Sequence, residues 1–341
     1  MFMKDIMAMT TGFIFSAILG YYLIPFLKKI KVSQTLNRFL ENTHKNKIGT
    51  PTMGGFIFII PTVLITLLFI KLNKIKSTFS LMIILFTFIG YAIIGFIDDY
   101  LIVKRHNNKG LTKNQKFILQ AIVAIVFFYL FMKSGSEPLI WIHTLNFKKN
   151  IGWLYGIFIL FVLTASSNSV NLTDGLDGLA GGLSVISFIT FGIISFNTQW
   201  LIGYEDISLF AFVLVGCLLG FLIYNIPKAK IFMGDTGSLC LGATLGAYAI
   251  ITRHEILLIL IGLVFVVETL TTIIQVTMYK YTSKRIFPMT PIHHSFETIG
   301  WKETSIVKLF WTVGLIANII ALIWSVILWK TLIKDYLYLA Y

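Results

Sequence analysis

Ten runs of mostly apolar residues follow one another along the chain and leave almost no stretch from which a soluble core could be built. They lie near 6–27, 54–70, 80–98, 117–132, 152–166, 178–196, 207–224, 237–252, 256–279 and 305–329. About 20 apolar residues in helical form cross the hydrocarbon layer of a bilayer. The runs are too long and too uniformly apolar for barrel strands, which alternate between lipid-facing and lumen-facing residues. Composition agrees: 57% of the 341 residues are hydrophobic and 13% are charged, whereas a soluble domain carries about a quarter charged residues. The expectation is an all-α integral membrane protein, one ten-helix bundle over residues 1–341. The first run reads as a transmembrane helix rather than a cleaved signal. Lys4 and Asp5 cancel ahead of it, and it runs on to Lys28 and Lys29.

The formal net charge is +13. In a soluble protein that would suggest nucleic acid; in a membrane protein, loop Lys and Arg set topology and meet anionic headgroups. No nucleic-acid partner is expected. The loops after helices one, three, five, seven and nine hold about 17 Lys and Arg and the other side about 10, which places the odd loops in the cytoplasm and both termini outside. Lys71, Lys74 and Lys76 run against that bias. Cys217 and Cys240 lie in apolar runs outside any CxxC or Cys/His pattern, so neither a disulfide nor a zinc site is expected.

The same sorting puts every unusual polar cluster on the odd-loop side. These are GTPTMGG (49–55), IDDY (97–100), NLTDGLDGLAGG (171–182), NIPKAKIFMGDTGS (225–238) and TPIHHSFE (290–297). Five clusters at one face read as one site. A lone Asp-Asp pair at a membrane edge is as readily a solvated helix end. With Asp174, Asp177 and Asp235 at the same face, Asp98 and Asp99 instead suit a hard cation with oxygen ligands. Mg²⁺ fits that description, since it takes one or two carboxylates together with phosphate oxygens and water. Asn171, Asp174 and Asp177 are spaced i, i+3, i+6 among glycines, as in a loop entering helix six. They could bind a base, ribose or sugar, or simply cap the helix. Asp235 stands between two glycines just before a helix, where it could cap that helix or hold a metal. Phe232 could stack on a planar base, although such a residue is more often a lipid or core contact. Lys47 precedes GTPTMGG, which has no Walker-type ending; a Lys there could bind phosphate or merely set topology. His293 and His294 could contact phosphate or move a proton.

Taken together, GTPTMGG, DDY followed by KGL, NLTDGLDGLA, FMGDTGS and PIHH resemble the MraY family, the phospho-N-acetylmuramoyl-pentapeptide transferases, in the same order from about Lys47 to Trp301. The resemblance implies ten transmembrane helices with periplasmic termini, a site in a cytoplasmic-face cleft of the inner membrane, and a homodimer. It implies transfer of phospho-MurNAc-pentapeptide from UDP-MurNAc-pentapeptide to undecaprenyl phosphate, giving lipid I and UMP. By matching position it makes Asp235 the Mg²⁺ ligand, Asp98 the base or nucleophile, and Asp99 its essential neighbour. Lys47, Thr52, Asn171, Asp174, Asp177, Asn225 and Phe232 fall where the family binds the uridine nucleotide and the metal-diphosphate region. His293 and His294 border the site.

Three positions depart from the family pattern: Ile102 where Lys is usual, Pro288 where Arg is common, and Ser295 in place of a third histidine. Lys104, Lys109 and Arg285 are the candidates to compensate. The residues leave Asp98 two roles, removing a proton from the lipid phosphate or attacking phosphorus itself; direct attack by the lipid phosphate, already mostly dianionic, is favoured. The nearest alternative is a sister transferase moving GlcNAc-1-phosphate from UDP-GlcNAc. An intramembrane aspartyl protease would need two facing aspartates and no metal. A transporter would place its charges near the midplane, whereas these acids gather at one face.

Overall fold

A computed structural model of the protein describes residues 2–30, 32, 49–105, 109–142, 147–197, 201 and 203–339. Lys47 lies outside the described residues. Twelve helices occur among the described residues. In chain order they are α1 (Phe2–Lys29), α2 (Phe56–Lys71), α3 (Phe79–Arg105), α4 (Lys113–Lys133), α5 (Leu154–Thr173), α6 (Leu179–Asn197), α7 (Tyr204–Asn225), α8 (Gly234–Ile251), α9 (Leu257–Ile261), α10 (Leu263–Thr282), α11 (Ile292–Thr298) and α12 (Glu303–Leu339). All ten expected segments are helical. Among the described residues, eight helices are long and apolar enough to cross a membrane by length and composition. The two expected segments outside that set are α2, with 16 residues, and α8, with 18.

α8 is the axis of the bundle. Its residues from Thr236 to Ile251 are all buried, with α3 and α5 packed along it and α4 bridging α3 to α5. Small residues make this approach possible. A β-carbon at Gly95 of α3 would collide with the Asp235 carbonyl. That close crossing brings the acidic end of α3 against the first turn of α8. A second group forms around α7, which packs on α1, α2 and α6.

Three features depart from the sequence expectation. The ninth run is broken at Gly262 into α9 and α10. The Ile261 carbonyl at the break accepts hydrogen bonds from Asn318 Nδ2 of α12 (2.9 Å) and Ser187 Oγ of α6 (3.2 Å), so a polar acceptor within an apolar run is satisfied. A hairpin of β1 (Leu139–Ile142) and β2 (Phe147–Asn150), antiparallel with Leu139 opposite Asn150, lies between α4 and α5. It stands at the bundle end away from Asp98. Finally, α5 continues to Thr173, beyond the expected end near 166, so Asn171 belongs to the helix and not to the following loop.

Candidate active site

The C-terminal ends of α3 and α5 and the N-terminal ends of α4 and α8 meet at one end of the bundle. Their side chains form a compact polar centre. Lys116 Nζ lies 2.6 Å from Asp235 Oδ2 and 3.7 Å from Asp98 Oδ1. Asn171 Nδ2 donates to Asp235 Oδ1 (2.7 Å) and to Ser238 Oγ (3.0 Å). Asp98 Oδ1 also accepts the Leu111 amide (2.9 Å). The Lys116 and Asp235 side chains each retain 20% of their surface, so a ligand can reach them, while Asp98 is nearly buried.

Asp99 faces the other way. It is fully buried and accepts the Asp235 amide (3.1 Å), the Thr236 amide (2.9 Å) and the Thr236 hydroxyl (2.6 Å). The residue preceding α8 offers no side-chain cap of its own. The Asp99 carboxylate therefore satisfies orphan amides of that helix and meets the positive end of its dipole. Gly234 makes room for this: its φ is +73°, and a β-carbon there would lie 2.5 Å from Asp99 Oδ2. Asp99 thus positions Asp235 through the backbone.

The remaining clusters assemble around this centre. Pro51 and Gly54 pair with Phe232 through backbone hydrogen bonds of 2.8 Å each, and the Gly55 amide reaches the Met233 carbonyl at 2.9 Å. Thr52 is buried beside Gly234, and Phe232 is half-buried. Asn225 accepts the Gly178 amide (3.1 Å) and donates to the Ile231 carbonyl (2.9 Å). Asp177 accepts the Ala229 amide (2.9 Å), and its own amide donates to Glu303 of α12 (2.7 Å). Asn225 and Asp177 therefore brace the loop that carries Phe232 and Asp235. Asp174, half-buried, ends α5. The next residue, Gly175, touches His293: a β-carbon at Gly175 would collide with the imidazole. His293 and His294 sit on α11 with ring centroids 4.1 Å apart, and His294 Nδ1 meets Glu297 at 2.7 Å. Ser295, at the third histidine position, closes its own loop by accepting the Met289 amide (3.2 Å).

Two site residues went unread in the sequence. The cation beside the aspartates is Lys116, not one of the three candidates named to compensate for Ile102 and Pro288. Lys104 lies over the Tyr100 ring, Arg285 donates to the Pro288 carbonyl, and the Lys109 carbonyl takes an Arg105 hydrogen bond. The signal was present in TKNQ. Thr112 and Gln115 form a reciprocal capping box that starts α4 and so places Lys116 one turn inside it. The second is Glu268 of α10, fully buried, whose Oε1 lies 3.1 Å from Nδ1 of the equally buried His293. A carboxylate inside an apolar run is itself a signal, but only the fold joins it to a residue 25 positions away.

Among the described residues, no three acidic, histidine or cysteine side chains converge as a metal cage. The donor chemistry fits a hard divalent cation all the same. Asp235 and Asp98 offer carboxylate oxygens on either side of one ammonium, and Mg²⁺ completes its shell with phosphate oxygens and water.

Residues 81–253 match the family model described as glycosyl transferase family 4. Three similar proteins share the name phospho-N-acetylmuramoyl-pentapeptide-transferase. That of Geobacillus thermodenitrificans is 42% identical over 91% of this chain and 94% of its own length. The Staphylococcus saprophyticus protein is 44% identical over 88% and 92%, and the Bacillus subtilis protein 41% identical over 91% and 94%.

Proposed function

We infer the function from one premise: the chain belongs to the phospho-N-acetylmuramoyl-pentapeptide-transferases of glycosyl transferase family 4. It transfers phospho-MurNAc-pentapeptide from UDP-MurNAc-pentapeptide to undecaprenyl phosphate, giving lipid I and UMP, in peptidoglycan biosynthesis. The observation that carries this to particular residues is the convergence of Asp98, Lys116, Asn171 and Asp235 at one end of a transmembrane bundle. We place that end at the cytoplasmic face of the bacterial inner membrane. The nucleotide substrate is cytoplasmic, and the odd-loop side holds the larger share of Lys and Arg.

A lipid phosphate oxygen attacks the β-phosphorus of the UDP-sugar. A new P–O bond forms, the bond from that phosphorus to the bridging oxygen breaks, and UMP leaves with the electron pair. Two anions must meet, so charge neutralisation is the main catalytic demand. Lys116 supplies one positive charge to the diphosphate region. Asp235, oriented by Asn171 and by the α8 backbone that Asp99 holds, would hold Mg²⁺, with Asp98 beside it. The bound ion would supply positive charge for the diphosphate and for the leaving phosphate. Asp98 takes any proton remaining on the lipid phosphate; its Leu111 hydrogen bond fixes one oxygen and aims the carboxylate. Lys47, Thr52, Asp174 and Phe232, with His293 and His294 at the border, hold the uridine nucleotide, and Asn225 and Asp177 shape the loop around it.

The test is transfer in detergent with purified protein, polyprenyl phosphate and either UDP-MurNAc-pentapeptide or UDP-GlcNAc, with and without Mg²⁺. The expected result is Mg²⁺-dependent UMP release and lipid product from the muramyl substrate alone. Product from UDP-GlcNAc alone would move the chain to the sister transferases. Product undiminished by chelation would remove the metal from the scheme.

A further inference from the structure

Each of three helices that build the centre carries a second polar residue deeper in the membrane, on the same helical face. On α4, Gln120 follows Lys116 by one turn. On α5, Ser167 and Thr164 precede Asn171 by one and two turns. On α3, Tyr91 precedes Asp98 by two turns. Tyr91 and Ser167 are fully buried and Gln120 is 2% exposed. Gln120 Nε2 donates to Ser167 Oγ at 3.4 Å, and Ser167 Oγ donates to the Thr164 carbonyl at 3.0 Å. The Tyr91 hydroxyl lies near those of Thr164 and Ser167 but makes no hydrogen bond to either.

Polar groups this deep in a transmembrane bundle are costly unless partnered. The bare bundle does not need them. The α4–α5 contact elsewhere could be made by apolar side chains, and interhelical hydrogen bonds of this type contribute only about 1 kcal/mol to membrane-protein stability. Their placement gives a reason. Lys116 and Asn171 grip the two oxygens of Asp235 from opposite helices, at 2.6 and 2.7 Å. The Gln120–Ser167 bond joins those same two helices one turn beneath that grip. On α8, Gly242 lets the α5 backbone at Ser166 and Ser167 come close, since a β-carbon there would collide with the Ser166 carbonyl. Ser167 is thereby fixed against the helix that carries Asp235 in its first turn.

We propose that Gln120 and Ser167 are positioning residues that set the separation of Lys116 and Asn171 across Asp235. The inference rests on the transferase reading for its kinetic consequence and on geometry alone for its structural one. If α4 moves relative to α5, the ammonium and the amide no longer converge on one carboxylate. Misplacement of a catalytic group by about 1 Å costs on the order of a hundredfold in rate. The network therefore acts on turnover and not on capture of the nucleotide.

The test uses Gln120→Met, which keeps volume and removes the amide, together with Ser167→Ala, their double variant and Tyr91→Phe. An experimental structure of full-length Gln120→Met should show Lys116 Nζ drawn away from Asp235 while the Asp99–Thr236 bonds persist. An unchanged Lys116–Asp235 contact would overturn the inference whether or not the protein proves to be the proposed transferase. In turnover, Gln120→Met and Ser167→Ala should each lower kcat about tenfold or more, and the double variant should lose no more than the worse single, because both remove one bond. KM for the uridine substrate should stay within about twofold. Tyr91→Phe, which removes a neighbouring hydroxyl that bonds to neither residue, should leave kcat within about twofold. A fall in Tm with kcat unchanged would reduce the network to packing and overturn the proposal. An inactive wild-type protein would instead count against the transferase reading, leaving the structural comparison to decide this one.

Discussion

The two ends of the bundle both bury charge, and they do it differently. Away from the aspartates, Arg253 donates to the Leu139 carbonyl and the Tyr155 hydroxyl (3.0 Å each) and to the Glu137 carbonyl (2.6 Å). Its guanidinium lies over the Phe131 and Tyr155 rings, and Tyr155 donates to Glu255 at 2.7 Å. One cation and one carboxylate are joined through the Tyr155 hydroxyl, and the hairpin is tied to α5 in the process. At the other end three carboxylates cluster; among the described residues Asp98 and Asp235 share one ammonium, Lys116, while Asp99 turns to the start of α8. Helix α8 offsets Asp99 with its first amides, but among the described residues Asp98 and Asp235 are two carboxylates to the single ammonium of Lys116. Balanced buried charge reads as architecture. A surplus of carboxylate, partly open to solvent, reads as a demand for a cation that arrives with substrate.

The largest effect that could break this contrast is at Asp235. Asp235→Asn keeps the shape and removes the charge proposed to bind the metal. UMP release should fall by about a thousandfold or more, and a variant retaining most of its rate would remove the acidic surplus from the mechanism. Next comes Lys116→Met, which should cost on the order of a hundredfold in kcat. Lys104→Met, whose ammonium lies over Tyr100, should stay within about twofold in the same assay. Equal losses would show that the sequence-based choice of compensating cation was sound and the structural one was not.

At the opposite end, Arg253→Met should leave turnover per folded molecule nearly unchanged while lowering Tm in detergent. Removing one partner from a buried charged network costs about 3–5 kcal/mol; a selective loss of kcat without a change in Tm would erase the distinction between the ends. The smallest effect concerns pH. Burial pushes the Glu255 carboxyl up to about 7 from an ordinary 4.5. The folded state therefore binds its proton more tightly than the unfolded chain does. This contribution to stability is complete below pH 4.5 and is lost as pH rises through about 7. Glu255→Gln should flatten Tm across that window, and an unaltered slope would place the dependence elsewhere.

Much of this was legible before any coordinates. Hydrophobic run length identified all ten helical segments, and loop parity gathered the five polar clusters that the fold joins. Asp98, Asn171 and Asp235 converge as their motifs suggested. What stayed hidden depended on register or on tertiary contact. Asn171 looked like a loop residue because glycines follow it, although α5 runs two residues past it. The break at Gly262 was invisible because one glycine inside an apolar run does not announce a break; the polar donors to it come from α6 and α12. The role of Asp99 could not be told from that of its neighbour, since adjacent residues on a helix point about 100° apart and only the position of α8 decides which faces the cleft. The hairpin strands, LIWI and FKKN, are four residues each and show no shared alternation.

The most direct test of the account is the steady-state transfer rate of Asp98→Asn beside wild type, with UDP-MurNAc-pentapeptide varied at saturating polyprenyl phosphate and Mg²⁺. The account predicts a kcat lower by about three orders of magnitude with KM for the uridine substrate changed by no more than a few fold. A near-normal kcat would contradict it, because the carboxylate that shares Lys116 with Asp235 would then have no part in the chemistry.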